Sequence, residues 1–197
     1  MADITPGMIK ELRDKTGLGL KKCKEALVDA AGDIEKAVVA LRKSGLAAAE
    51  KRMGRSASEG MIFSYIHGNG KLGVMLELNC ETDFVAKTDD FQNLGKDLCM
   101  HIAAMAPEWV GPEDVDPAYI EKEKEIAQEQ MKDKPENVVE KIIEGKVKKI
   151  LSENCLLMQG FVKDDKQTVE NLVKSMIAKL GENIKVGKFS RIQLGEE

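Results

Sequence analysis

The sequence predicts an α+β fold in which a helical N-terminal unit precedes an antiparallel sheet packed against helices. Three observations carry that expectation. Apolar residues recur at helical spacing as far as Gly45. Alternation of period two replaces that spacing on both sides of Gly68-Asn69-Gly70. Helical spacing returns after the corner Asn79-Cys80-Glu81-Thr82-Asp83-Phe84-Val85-Ala86, and a last stretch near the C-terminus alternates again.

The first segment reads as three helices. Thr5-Pro6 supplies an N-cap and a first-turn proline, Met8, Ile9 and Leu12 give one apolar face, and the helix ends near Thr16-Gly17. Leu20, Cys23, Ala26 and Leu27 form a second stripe that stops at Gly32. Asp33 caps a third helix carrying Ile34, Ala37, Val38 and Leu41, with Gly45 as its stop. Ala47-Ala48-Ala49, followed by Lys51, Arg52 and Arg55, reads as a short helix leading into the linker Ser56–Gly60. A unit this small buries little area alone, so it is expected to lean on a partner or present a surface to one. The expected division is a three-helix domain over 1–54 and an α+β core over 55–197.

Met61 to His67 is strand-like, and Gly68-Asn69-Gly70 is a hairpin turn because Gly and Asn accept positive φ. Leu72, Val74, Leu76 and Leu78 alternate with Gly73, Met75, Glu77 and Asn79, so one face is expected against helices and the other is more polar. Asp89-Asp90 is the expected cap of a long helix with Leu94, Leu98, Ile102 and Met105 on one face, stopped by Pro107. Asp116-Pro117 starts a charged helix, and Pro135 starts another in which Val138-Val139, Ile142-Ile143, Val147 and Ile150-Leu151 recur at helical spacing. Val169, Leu172, Val173, Met176, Ile177 and Leu180 mark a further helix ending at Gly181. The tail alternates through Ile184, Val186, Ile192 and Leu194. Phe189 falls out of phase and Gly187 marks a bulge or bend. This last strand is expected either to join the hairpin or to offer an edge to a second subunit.

Composition narrows the function. Of 197 residues 32% are charged, with acids outnumbering bases for a formal net charge of -4. That balance argues against a general nucleic-acid binder. Met1–Pro6 lacks the basic and apolar blocks of a signal peptide, and no apolar run is long enough to span a bilayer. Cys23, Cys80, Cys99 and Cys155 lie far apart without a CxxC pair, the usage of free thiols in a reducing cytoplasm.

The chain shows little chemistry of an enzyme. Gly68-Asn69-Gly70-Lys71 is too short for a phosphate loop, and Gly17-Leu18-Gly19-Leu20 lacks the third glycine and preceding strand of a dinucleotide loop. No GxSxG or HExxH occurs. His67 reads as a strand-end polar residue and His101 as a hydrogen-bonded, half-core histidine. The cysteines read as small core residues, Cys23 between Lys22 and Lys24 being the mild candidate for a reactive thiol. No catalytic residue, metal ligand or cofactor site is expected.

The corner at 79–86 carries the functional expectation. It sets an aromatic ring directly after an acid, where a strand pattern stops and a helix pattern starts, and the chain holds only five Phe. A ring there either plugs its own core or acts on another protein, and Asp83 is either an N-cap or a partner contact. Leu18 and Leu20 are open to the same two readings, core of the small domain or contact surface.

Two segments resemble the bacterial elongation factor Ts family. One runs Leu12-Arg13-Asp14-Lys15-Thr16-Gly17-Leu18-Gly19-Leu20-Lys21-Lys22-Cys23-Lys24-Glu25-Ala26-Leu27 and continues through Gly32–Ala37 and Leu41–Gly45; the other is Leu78–Ala86. Ile143-Glu144-Gly145-Lys146 and Phe161-Val162-Lys163-Asp164-Asp165 are similar to further family segments, and the likeness covers nearly the whole chain in order. The chain departs from the family pattern at Leu20 and Lys21, where two Met are common, at Lys22 for a common Asp, and at Gly160 for a common Pro.

The resemblance implies a guanine nucleotide exchange factor for elongation factor Tu, binding its GDP-bound and nucleotide-free forms. It implies a ubiquitin-associated-like N-terminal domain, a compact class without coiled-coil insertion or extra C-terminal module, a homodimer, and a cytoplasmic protein of translation elongation with no direct nucleic-acid or membrane contact. It places Thr82, Asp83, Phe84 and Val85 against the nucleotide domain of Tu. There Phe84 is the wedge that disturbs Mg²⁺ and phosphate binding, Asp83 holds the corner or pairs with partner groups, and Thr82 and Val85 brace the ring. Leu18, Gly19, Leu20 and Lys21 would anchor on the same partner domain. Two other classes compete: an adaptor or holdase using the three-helix domain, and a thiol enzyme using Cys23 or Cys80.

Overall fold

Apolar periodicity, caps and turns fix the order of elements in this computed structural model, which describes residues 4–131 and 135–196. The signal-peptide expectation therefore lies partly outside the described residues, at Met1–Asp3. The helices are α1 (Pro6–Thr16), α2 (Leu20–Asp29), α3 (Ile34–Met53), α4 (Asp83–Ala86), α5 (Asp89–Met105), α6 (Pro117–Glu129), α7 (Glu136–Asn154) and α8 (Val169–Leu180). The strands are β1 (Glu59–His67), β2 (Leu72–Cys80), β3 (Gly160–Phe161), β4 (Asp164–Thr168) and β5 (Ile184–Gln193). β2 lies between β1 and β5 in one three-stranded sheet, while β3 and β4 pair antiparallel in a small second one. The last strand thus joins the hairpin, with Leu194 N–H donating to Lys71 O at 2.9 Å.

The chain divides into two units. One takes the chain up to Gly60, with Asn79–Phe91 and Val173–Lys185; the other takes Met61–Leu78, Gln92–Leu172 and the chain from Val186 on.

In the first unit, Thr5 caps α1 by accepting from Met8 N–H at 3.3 Å, and Gly17 closes it in the left-handed conformation (φ 67°). Asp33 caps α3 through Lys36 N–H at 2.9 Å. Leu12, Cys23, Ala26, Leu27, Ala37 and Leu41 form the core of the three helices, with Leu18 and Ile9 packed against it. Gly45 does not stop the third helix: α3 continues to Met53 and absorbs the expected short helix at Ala47–Ala49. The glycine serves close approach instead, since a Cβ there would lie 3.2 Å from the Ala178 methyl on α8.

In the second unit, Val74, Leu76 and Leu78 of β2 are buried and Met75 between them is exposed, as the alternation predicts. The turn residues Gly68, Asn69 and Gly70 all have positive φ. Phe63 of β1 lies over Gly95 of α5, where a Cβ would overlap its ring, so the sheet and the helix meet at van der Waals distance. Met105 leaves the expected face of α5 and is exposed. Among the described residues of α7 only Ile143 is buried; Val138 and Ile142 stay exposed, so the regular apolar spacing there is only partly covered within the chain. Burial in β5 changes phase at Gly187: Ile184 and Val186 are buried, and Ile192 is 70% exposed.

His101 is fully buried in this unit. Its Nδ1 accepts from Val162 N–H at 3.1 Å, so Nε2 carries the proton and donates to Gln159 Oε1 at 2.9 Å. His67 pairs with the Tyr65 hydroxyl at 2.7 Å.

Candidate functional site

β2 ends at Cys80, and the chain turns through Glu81 and Thr82 into α4. Thr82 is extended (φ −133°, ψ 154°) and caps α4, its hydroxyl accepting from Val85 N–H at 3.4 Å. The cap is therefore Thr82, and Asp83 is the first helical residue. Asp83 Oδ2 takes the Lys87 ammonium one turn on at 2.6 Å, and that hydrogen bond holds its carboxyl below the usual range. The next helix is capped by Thr88, whose hydroxyl accepts from Phe91 N–H at 3.3 Å; Asp89 and Asp90, the expected caps, occupy its first turn.

Phe84 is 78% exposed, the most exposed of the large hydrophobic side chains in the described residues. The reading in which it plugs its own core is excluded. Val85 is half-buried and Ala86 buried, so the helix turns its small residue inward and its aromatic outward. A four-residue helix has too little hydrogen bonding to stand alone. It is held from both ends, by Thr82 before it and by Thr88 after it, whose hydroxyl donates to Val85 O at 2.7 Å.

Glu182 supports the corner from 100 residues away. Its carboxylate receives the Thr82 N–H at 3.0 Å on one oxygen and the Thr82 hydroxyl at 2.7 Å on the other. Beside it, Glu81 Oε1 receives the Asn183 N–H at 2.6 Å. Sequence reasoning missed Glu182 and Asn183: both follow the helix-ending Gly181, and nothing local links Glu182 to Thr82 or Asn183 to Glu81.

The N-terminal loop belongs to the same unit as the corner. Leu18 is half-buried against the three-helix core, and Gly19 is exposed and opens α2 without a side-chain cap. Leu20 is 56% exposed and Lys21 is exposed beside it. Leu20 lines a shallow surface depression with Pro6, Ile9, Lys21 and Lys24. Val28 carries the apolar surface further along α2, beside Lys24 and Asp29. The arrangement is an apolar patch with a charged rim, a form suited to docking on a protein.

All four cysteines are buried and free. Burial pushes the Cys99 thiol up to about 11 and raises Cys80 and Cys155 as well, the reverse of what a nucleophilic thiolate needs. The Cys80 thiol donates to Thr82 O at 3.1 Å and so belongs to the scaffold of the corner. Among the described residues no cluster of His, Cys, Asp and Glu is placed to hold a metal ion, and no helix is long and apolar enough to cross a membrane.

Comparison with known proteins gives one consistent result. The model of the family described as Elongation factor TS matches residues 20–196. An elongation factor Ts of Fervidobacterium nodosum is 56% identical over 196 residues, 98% of this chain and 100% of that protein. One from Thermosipho melanesiensis is 56% identical over 195 residues, 98% of this chain and 100% of its own length. One from Desulforamulus reducens is 52% identical over 198 residues, covering 100% of this chain and 91% of the relative.

Proposed function

Since this chain belongs to the elongation factor Ts family, we propose that it drives GDP release from elongation factor Tu by inserting Phe84 into the nucleotide domain of its partner. Members of the family are nucleotide exchange factors, and exchange of this kind makes and breaks no covalent bond. What it requires is a difference in affinity. A factor that binds the nucleotide-free partner more tightly than the GDP-bound one weakens GDP binding by the same factor, tenfold for every ~1.4 kcal/mol.

The observation that carries the reading is the exposure of Phe84 on a corner held by hydrogen bonds. A ring that is already ordered and solvated loses little on docking and gains its burial energy in the partner, roughly 1.5–3 kcal/mol. That range corresponds to about tenfold to a hundredfold in coupling. The ring would displace elements that hold Mg²⁺ and phosphate. Asp83, already ionised through Lys87, brings negative charge to the same place and disfavours phosphate return. Thr82 and Val85 fix the turn. Gly19, Leu20 and Lys21 anchor the first domain, residues 1–54, on the same partner, with Leu18 holding the loop to its own core. This domain acts as a ubiquitin-associated-like docking module.

The factor works as a homodimer in the cytoplasm, without contacting nucleic acid or membrane. The open face of the sheet supports the dimer. Ile62 and Ile66 are exposed on β1, Ile66 lies 3.3 Å from where a Gly73 Cβ would stand on β2, and Met75 continues that face.

The test is the release of fluorescent GDP from elongation factor Tu. The wild-type chain accelerates it, and Phe84→Ala removes most of the acceleration at unchanged helicity. Equal acceleration by the two chains would end the wedge account.

A further inference from the structure

Phe84 has no polar side-chain atom with which to aim itself. Thr88 holds the far end of α4; at the near end the direction of the ring depends on what fixes Thr82, and the residues after α8 do so. Glu182 takes both donors of Thr82, its N–H and its hydroxyl, on separate oxygens. The hydroxyl, with its proton committed to Glu182, presents a lone pair to Val85 N–H. Glu81 takes Asn183 N–H in return, so the two pairs clasp each other in opposite directions. Asn183 is 2% exposed, and its amide donates to Met53 O at 3.2 Å and Arg55 O at 2.7 Å, at the end of α3. One turn earlier, the Lys179 stem lies over Gly17, with Cε 2.7 Å from where a Cβ would stand, and its ammonium pairs with Asp90 at 2.6 Å.

Residues 179–183 therefore touch Gly17, where the Leu18–Lys21 loop begins, and Thr82, where the corner begins. We propose that Glu182 is a positioning residue for nucleotide exchange, seated by Asn183 and acting through Phe84. This rests on the reading of Phe84 as the wedge. Two charge-assisted hydrogen bonds on one residue define an orientation, where a single cap would define only an end point. The ring so oriented is exposed, so its orientation serves a surface outside the chain.

Wild type, Phe84→Ala, Glu182→Ala and the double variant are compared in GDP release from elongation factor Tu. The saturating rate and the half-saturating factor concentration are read separately. Amide hydrogen exchange at Val85, Ala86 and Lys87 is read on the free chains. Glu182→Ala is expected to lower the saturating rate about tenfold, the loss of a charged hydrogen bond, with a smaller change in half-saturation. It adds nothing in the Phe84→Ala background, and it speeds amide exchange at the three positions. Glu182→Gln keeps the volume and one acceptor; it recovers part of the rate and carries the test if the alanine variant does not fold. A Glu182→Ala chain that melts lower but exchanges GDP at the wild-type rate overturns the proposal, as do additive losses in the double variant. If Phe84→Ala leaves the rate unchanged, the wedge reading falls. The amide exchange then judges the clasp alone: unaltered exchange at Val85 in Glu182→Ala overturns it, and faster exchange upholds its hold on the corner.

Discussion

At the scale of single residues, the chain places one apolar ring where it cannot stabilise its own fold and one imidazole where it must stay neutral. Phe84→Ala is accordingly expected to leave thermal stability within ~0.5 kcal/mol, as surface substitutions do, while impairing exchange; calorimetry beside a GDP-release assay separates the two. His101 is the opposite case. Burial holds it below its ordinary value of 6.5, and the Val162 N–H on Nδ1 leaves no site for a second proton. At a pH below about 6.5 the unfolded chain binds a proton that the folded chain resists, so stability is whole above that value and falls as pH drops toward the folded pKa. Melting temperature should decline from pH 7 to pH 5, and His101→Gln should flatten the decline at a lower overall stability. A wild-type profile as flat as that of the variant would contradict the assignment. The sequence marks His101 as a hydrogen-bonded histidine; its full burial follows from α5, which turns it to the inner side with Leu98 and Ile102.

At the scale of elements, what is legible in the sequence is what short-range chemistry decides. Thr5-Pro6, Asp33 and the turn at Gly68-Asn69-Gly70 each act within four residues, and each stands where the pattern places it. Gly45 misleads because a glycine admits two uses, ending a helix or letting another helix approach, and the neighbour that decides, Ala178, is remote in sequence. Thr88 is masked as a cap by the two acids that follow it, although its hydroxyl is the acceptor that Phe91 N–H reaches. Gly95 makes the close-approach role testable. Gly95→Ala gains about 1 kcal/mol in helix propensity but sets a methyl into the Phe63 ring, and overpacking of this kind costs roughly 1–3 kcal/mol. Denaturant unfolding should show a net loss, and a gain would mean that Phe63 has room to move. The buttress at Glu182 has no local signal at all, since the partner it holds is 100 positions away.

At the scale of the molecule, the fold class follows from periodicity and residue scarcity singles out the corner, whereas the exposure of its ring and the other surfaces left open by folding have to be seen in three dimensions. Exposed Ile62, Ile66 and Met75 on the sheet, together with Ile192 on the last strand, predict self-association. Sedimentation of the free chain should give a dimer, and Ile66→Lys should yield a monomer with intact helicity; a monomeric wild type would remove the dimer from the account. The Phe84 corner and the Leu20 patch lie in one compact unit, so docking of the first domain and insertion of the ring are read as one binding event. Its signature is thermodynamic. The most direct measurement is the ratio of the affinities of the chain for nucleotide-free and GDP-bound elongation factor Tu, for wild type and for Phe84→Ala. The account predicts a large ratio for the wild type that falls about tenfold or more toward unity in the variant, and a ratio unchanged by removal of the ring would contradict it.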